Sequence, residues 1–232
     1  MRLMSYNIHS GKNADGVLDI PAISAVIREI GPDTCALNEV RMRTTDVGGL
    51  ELARVIAEDV GMDWRFGRAI DIAGGEYGNA ILTRLPILSS RVVPVPELPP
   101  RDWEYLYEPR AALEAILMSP DGPLQVITCH FGLNRAEQEA AAETVLSMLR
   151  TDIPAVFMGD LNIQPDSDLI AALRGMLCDT ADRLPCTYPA RHADIKIDYI
   201  FASKHLHCSA LQTVQTLASD HLPVFADAQL RP

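Results

Sequence analysis

Apolar residues fall along this chain in short blocks, and the period of each block predicts the element it forms. Arg2 to Tyr6, Thr34 to Leu37, Leu124 to Thr128 and Pro154 to Met158 are compact aliphatic runs without helical spacing, which predicts buried strands. Each ends at polar residues: Asn7 and His9 after the first, Asn38 and Glu39 after the second, His130 after the third, Asp160 and Asn162 after the fourth. A strand with buried faces holds the side chains at its end rigidly, so this repeated placement is where chemistry is expected.

Helical periodicity alternates with these runs. Asp19 to Ile30 starts at an N-capping aspartate with Pro21 in the first turn and stops at Gly31-Pro32. Leu50 to Val60 stops at Gly61. Arg135 to Arg150 is a long alanine-rich helix capped by Asn134, and Asp168 to Leu173 is a shorter one. Asn79 to Thr83, Ile87 to Pro94, Arg110 to Met118, Asp194 to Phe201 and Pro223 to Gln229 read as further strands, with a hairpin turn at Asp121-Gly122. Pro94 to Pro109, rich in proline and carrying Trp103, Tyr105 and Tyr107, reads as a long irregular loop. So many hairpin-like pairs do not suit a purely parallel sheet. They predict an α/β fold of two packed mixed sheets with helices outside. No internal repeat is visible, and neither a dinucleotide-binding glycine motif nor a P-loop is present.

Composition narrows this further. The 232 residues are 48% hydrophobic and 22% charged, the profile of a globular chain with a sizeable core, and a single domain over 1–232 is expected. The aliphatic runs fall short of a membrane span, and the N-terminus lacks a signal-peptide pattern, so a cytoplasmic protein is expected. The five cysteines (Cys35, Cys129, Cys178, Cys186 and Cys208) form no C-x-x-C pair and read as free thiols; Cys129 beside His130 is the one with a nucleophilic alternative. A net charge of -11 opposes binding to long nucleic acids.

Three C-terminal motifs, Gly159-Asp160-Leu161-Asn162, Ile197-Asp198-Tyr199-Ile200-Phe201 and Ser219-Asp220-His221-Leu222-Pro223, follow Asn7 and Glu39 in a fixed order. Singly, each has a plain structural reading as turn, cap or surface pair. Together the series resembles the endonuclease/exonuclease/phosphatase superfamily of metal-dependent phosphohydrolases, which includes DNase I-like nucleases, abasic-site endonucleases, sphingomyelinases and inositol polyphosphate phosphatases. The resemblance implies a four-layer α/β sandwich and a phosphoesterase that needs Mg²⁺ or Mn²⁺.

It also implies roles. Glu39, Asn7 and Asp220 would hold the metal. Asp160 would position or deprotonate the attacking water, and His221, oriented by Asp198, would serve the phosphoryl centre. His130 and Asn162 would hydrogen-bond phosphoryl oxygens, with Asn79 and Arg110 on the substrate side. Asn38 stands where the family usually has Gln, and His9 where abasic-site endonucleases carry Asp. Arg41 and Arg43 read as a solvated basic patch, and Lys196, His192, His205 and His207 as structural or surface residues. The functions to be weighed are a phosphoesterase acting on a small-molecule, lipid-headgroup or sugar phosphate, a DNA or RNA nuclease of repair type, and a silent binding module with the same fold. No obligate protein partner is indicated.

Overall fold

A computed structural model describes residues 1–97, 108–176, 178–179 and 185–231. The aromatics at 103, 105 and 107, and most of the proline-rich loop around them, lie outside the described residues.

Two sheets stack face to face. In chain order the elements of the first half are β1 (Arg2–Asn7), α1 (Ile20–Ile30), β2 (Thr34–Met42), α2 (Leu52–Val60), β3 (Asp63–Ile72), β4 (Gly75–Thr83), β5 (Ile87–Pro94) and β6 (Ala111–Ser119). The second half adds β7 (Gly122–Cys129), α3 (Arg135–Met148), β8 (Ala155–Asp160), α4 (Asp168–Met176), β9 (Cys178–Asp179), β10 (Asp198–Ala202), β11 (Leu206–Cys208), β12 (Gln212–Thr213) and β13 (Val224–Leu230). The first sheet runs β11-β13-β1-β2-β4-β3 with β12 on β13; the second runs β5-β6-β7-β8-β10-β9. Each has one parallel pair at its centre, β1 with β2 and β7 with β8, each joined by a helix and flanked by antiparallel strands. The two halves thus share a topology that no sequence repeat announces.

Alternation along each strand divides the core into three layers. Leu3, Ala36, Leu113, Val126, Met158 and Ile200 point between the sheets. Their neighbours Met4, Leu37 and Leu82 turn outward under α1 and α2, whereas Ile127, Phe157 and Phe201 turn outward under α3 and α4. Helix, sheet, sheet, helix is the four-layer α/β sandwich expected. No described helix is long and apolar enough to cross a membrane.

Local chemistry sets the boundaries. The Asp19 carboxylate accepts from the Ala22 N–H at 3.2 Å, and Gly31 closes α1 in the left-handed region at φ 62°. Asn134 and Glu137 cap α3 reciprocally. Two expectations shift. β10 begins at Asp198 rather than 194, because Ile195 pairs instead with the loop at Tyr188. β3 is an added strand; Trp64 and Phe66 show its inward alternation, but Gly67 and a register shift between Arg68 and Ile70 interrupt the pattern.

Phe157 is fully buried and stacks between Phe131 and Phe201 at centroid distances of 5.8 and 6.0 Å. Phe157→Ala should therefore cost about 3–5 kcal/mol, read as a lowered urea midpoint with an unchanged slope.

Candidate active site

The strand ends predicted to carry chemistry converge on one cleft of about 490 Å³, with Glu39, His130, Asp160, Asn162, Asp220 and His221 on its walls. Convergence follows from topology. β1, β2, β7 and β8 are the central parallel strands of their sheets, and the sheets pack so that their C-terminal ends meet. Antiparallel β10 enters with Asp198 paired opposite Asp160.

Backbone irregularities aim the side chains. The register of β2 against β4 shifts between Leu37 and Val40, and within that bulge Glu39 adopts φ 59°. The extra residue turns Glu39 toward the cleft. Asn162, His9 and Ser10 also have positive φ, so four of the six such non-glycine residues among those described gather here. Strained backbone kept at one place is the mark of a functional constraint. Gly159 precedes Asp160 for a steric reason: a Cβ there would collide with the Cys129 carbonyl oxygen of β7.

Asp160 is the hub. Its Oδ2 accepts from Asn7 Nδ2 at 3.0 Å and faces His130 Nε2 at 3.4 Å and His221 Nε2 at 3.7 Å, and Oδ1 accepts from the Asn162 N–H at 2.9 Å. Burial first, then the neighbouring Asp198 charge, pushes the Asp160 carboxyl well above the usual carboxylate range. His221 Nδ1 lies 2.9 Å from Asp198 Oδ2, which also accepts from the Thr187 hydroxyl at 2.6 Å. Burial alone would lower the His221 pKa, but the Asp198, Asp160 and Asp220 carboxylates outweigh it and raise it. Burial and the Arg110 charge drive His130 the other way, well below its ordinary value. Ser219 donates to the Asn7 carbonyl at 2.8 Å, tying the Asp220-His221 loop to the end of β1.

Several residues stand elsewhere than their sequence reading suggests. Asn79 is buried and sits beneath the cleft. It accepts from Asn38 Nδ2 at 2.7 Å and donates to the Ala111 carbonyl at 2.9 Å, a supporting position rather than a place on the cleft wall. Arg110 does line the cleft, bonded to His130 Nδ1 at 2.9 Å and paired with Glu108 at 2.7 Å. Arg41, expected on a solvated surface, lines the cleft with its guanidinium 4.8 Å from the Tyr77 ring centre. Its position two residues after Glu39 on the same strand was the available signal. The ion pairs of Arg41 and Arg43 go to Asp46, Glu51 and Glu76, not to Glu39. Tyr188, whose ring lies 4.9 Å from His221, was not singled out by the sequence.

The donor set suits a hard cation. The carboxylates of Glu39, Asp160 and Asp220 share the cleft, and the buried group Asp160, Asp198 and His221 offers ligand atoms within 4.8 Å of one another. Asn7 presents its Nδ2 to Glu39 at 3.1 Å and to Asp160, while its oxygen accepts from the His9 N–H. To ligate through oxygen, this amide would have to rotate.

The matching family model is the endonuclease/exonuclease/phosphatase family, over residues 4–221, and the chain belongs to that family. It therefore falls among hydrolytic phosphoesterases and nucleases with the DNase I-like fold. It is 25% identical to the uncharacterized protein YbhP of Escherichia coli (strain K12), over 99% of this chain and 96% of that protein. An endonuclease/exonuclease/phosphatase structure from Beutenbergia cavernae DSM 12333 superposes with a TM-score of 0.81 at 27% identity, covering 99% of this chain and 71% of that one. The mannosyl-6-phosphatase Bt3783 of Bacteroides thetaiotaomicron VPI-5482 superposes at 0.80 with 19% identity, covering 99% of this chain and all of that one, a likeness of fold.

Two outcomes follow. Cys129 is fully buried under α3 and its thiol is pushed up to about 12 by burial, so it is no nucleophile. Alkylation near neutral pH followed by mass spectrometry should label Cys129 and the equally buried Cys35 only after denaturation. Asn38→Ala should lower stability by about 1–3 kcal/mol, because it strands the Asp160 N–H that Asn38 Oδ1 holds at 2.8 Å. Chemical denaturation measures this directly.

Proposed function

We propose that this protein is a divalent-metal-dependent phosphoesterase that hydrolyses a phosphate ester by in-line attack of water, acting on a small-molecule, lipid-headgroup or sugar phosphate. The observation that carries the reading is the convergence of Asp160 Oδ2 with the Nε2 atoms of two histidines at 3.4 and 3.7 Å, inside a cleft lined by further carboxylates and two arginines.

Asp160 orients the attacking water and takes its proton, a task helped by a raised pKa. Asn7 holds that carboxylate from one side and the Asn162 N–H from the other, so it enters the reaction already oriented. The Asn162 amide and His130 face the position of the non-bridging oxygens. His221, locked through Nδ1 to Asp198, presents Nε2 to the phosphoryl centre and has a carboxylate behind it to balance a second proton. Glu39 and Asp220, with Asn7 after rotation of its amide, are the residues that would hold Mg²⁺ or Mn²⁺. When bound, such an ion neutralises phosphoryl charge and polarises the ester.

Small substrates are favoured over long nucleic acids by the net charge of -11 and by a cleft of about 490 Å³ in which Glu39, Glu108 and Asp220 offset Arg41 and Arg110. The mannosyl-6-phosphatase of the same fold makes a sugar phosphate a natural member of the first substrate panel.

Hydrolysis of matched phosphomonoesters, phosphodiesters, phospholipids and plasmid or abasic-site DNA, with Mg²⁺, Mn²⁺ or EDTA, tests the reading. Wild type should turn over a small ester only with metal, and Asp160→Asn should lose on the order of 10²–10⁴-fold in kcat. Glu39→Gln should weaken metal binding in calorimetry by about 10-fold or more. Turnover that survives EDTA, or a preference for DNA that weakens steeply with salt, would replace this reading with another.

A further inference from the structure

The two histidines at the centre of the cleft face the same Asp160 oxygen, yet they are wired in opposite senses. Behind His221 stands a carboxylate: Asp198 Oδ2, 2.9 Å from Nδ1, can only accept from it. Behind His130 stands a guanidinium: Arg110 Nη1, 2.9 Å from Nδ1, can only donate to it. An arginine has five N–H donors and no lone pair, so the His130 Nδ1 it contacts must carry the lone pair, and the single ring proton must reside on Nε2.

We propose that Arg110 is a positioning residue that fixes His130 as the Nε2–H tautomer, so that His130 serves as a donor to a phosphoryl oxygen.

The neighbours of Nε2 pull both ways, and the acceptor decides between them. Asp160 Oδ2, 3.4 Å from His130 Nε2, can take a ring proton, whereas Arg110 at Nδ1 cannot. Asn162 Nδ2, 3.1 Å from the same Nε2, is also a donor and by itself would call for a lone pair there, but that amide has the Phe131 carbonyl at 3.1 Å to donate to instead. Arg110 is not a loose surface side chain. It is one-tenth exposed, its Nη1 is held by Glu108 Oε1 at 2.7 Å, and it stands one residue before β6, whose Ala112 pairs with Cys129 next to His130 at the end of β7. A second proton on His130 would sit against that guanidinium, whereas one on His221 sits against Asp198. Arg110 therefore acts through His130 and not by gripping the substrate itself. The residue roles rest on the phosphoesterase reading; the tautomer does not.

The decisive measurement is nitrogen NMR of the histidine rings in the full chain at neutral pH, with the His130 signals identified by their loss in His130→Asn. Wild type should show an unprotonated Nδ1 and a protonated Nε2. Arg110→Lys, which keeps a donor, should retain that tautomer, and Arg110→Met should lose it. An Nδ1–H or doubly protonated His130 in wild type overturns the proposal, as does an unchanged tautomer in folded Arg110→Met. These spectra need no substrate, so they decide the tautomer even if every ester on the panel is left intact, the outcome that would sink the phosphoesterase reading instead. With turnover in hand, Arg110→Met should lower kcat about 10-fold or more. Combined with His130→Asn, it should do no further harm beyond His130→Asn alone. Losses that multiply would mean that Arg110 meets the substrate directly, against the proposal.

Discussion

The arrangement of this site depends on one buried amide. Asn38, midway along β2 in the first sheet, accepts the Asp160 N–H from β8 in the second at 2.8 Å, donates to Asn79 at 2.7 Å, and has Thr128 of β7 within 3.4 Å. Asn79 in turn donates to the Ala111 carbonyl at the start of β6. Elsewhere the sheets meet through aliphatic side chains, which bring layers together but do little to set their relative position. A fully enclosed amide tolerates no such freedom, since each unmade bond costs roughly 1–3 kcal/mol. The polar rungs therefore set where one sheet stops against the other, and with it the distance from Glu39 to Asp160.

Asp160 inherits that precision and passes it on. Its backbone is held by Asn38, its two oxygens by Asn7 and the Asn162 N–H, and its open side faces two histidines. The costs gather in the same few ångströms: left-handed backbone at Glu39 and Asn162, a strand bulge at Glu39, and a carboxyl buried away from water. Such costs persist where the surrounding packing over-determines the geometry, and here three apolar layers do so. The two histidines then differ in the partner behind each ring, Asp198 for the one and Arg110 for the other.

Much of this was legible before any coordinates. Compact apolar runs located the central strands, and helical periodicity located the four described α-helices, because burial on one face or two leaves a local imprint on residue choice. Polar residues at strand ends marked Glu39, His130, Asp160 and Asn162, which now meet in the cleft. The ordered motifs carried the family and its four-layer fold. Where the local imprint weakened, the reading weakened with it: β3 is broken by Gly67 and a register shift, and β9, β11 and β12 are only two or three residues long.

What the sequence by itself determined is therefore the kind of protein and most of the polar groups that gather in its cleft. Residue type and periodicity are written locally and survive without the fold. Only the tertiary structure decided how those groups are connected: that Asn79 braces the sheets from below, that Arg41 joins the cleft, and that Arg110 stands behind His130 as Asp198 stands behind His221. Those hydrogen bonds join residues 20 to 32 positions apart, and the direction of each depends on which donor meets which lone pair at about 3 Å. No local pattern records that meeting, because the packing of the two sheets creates it.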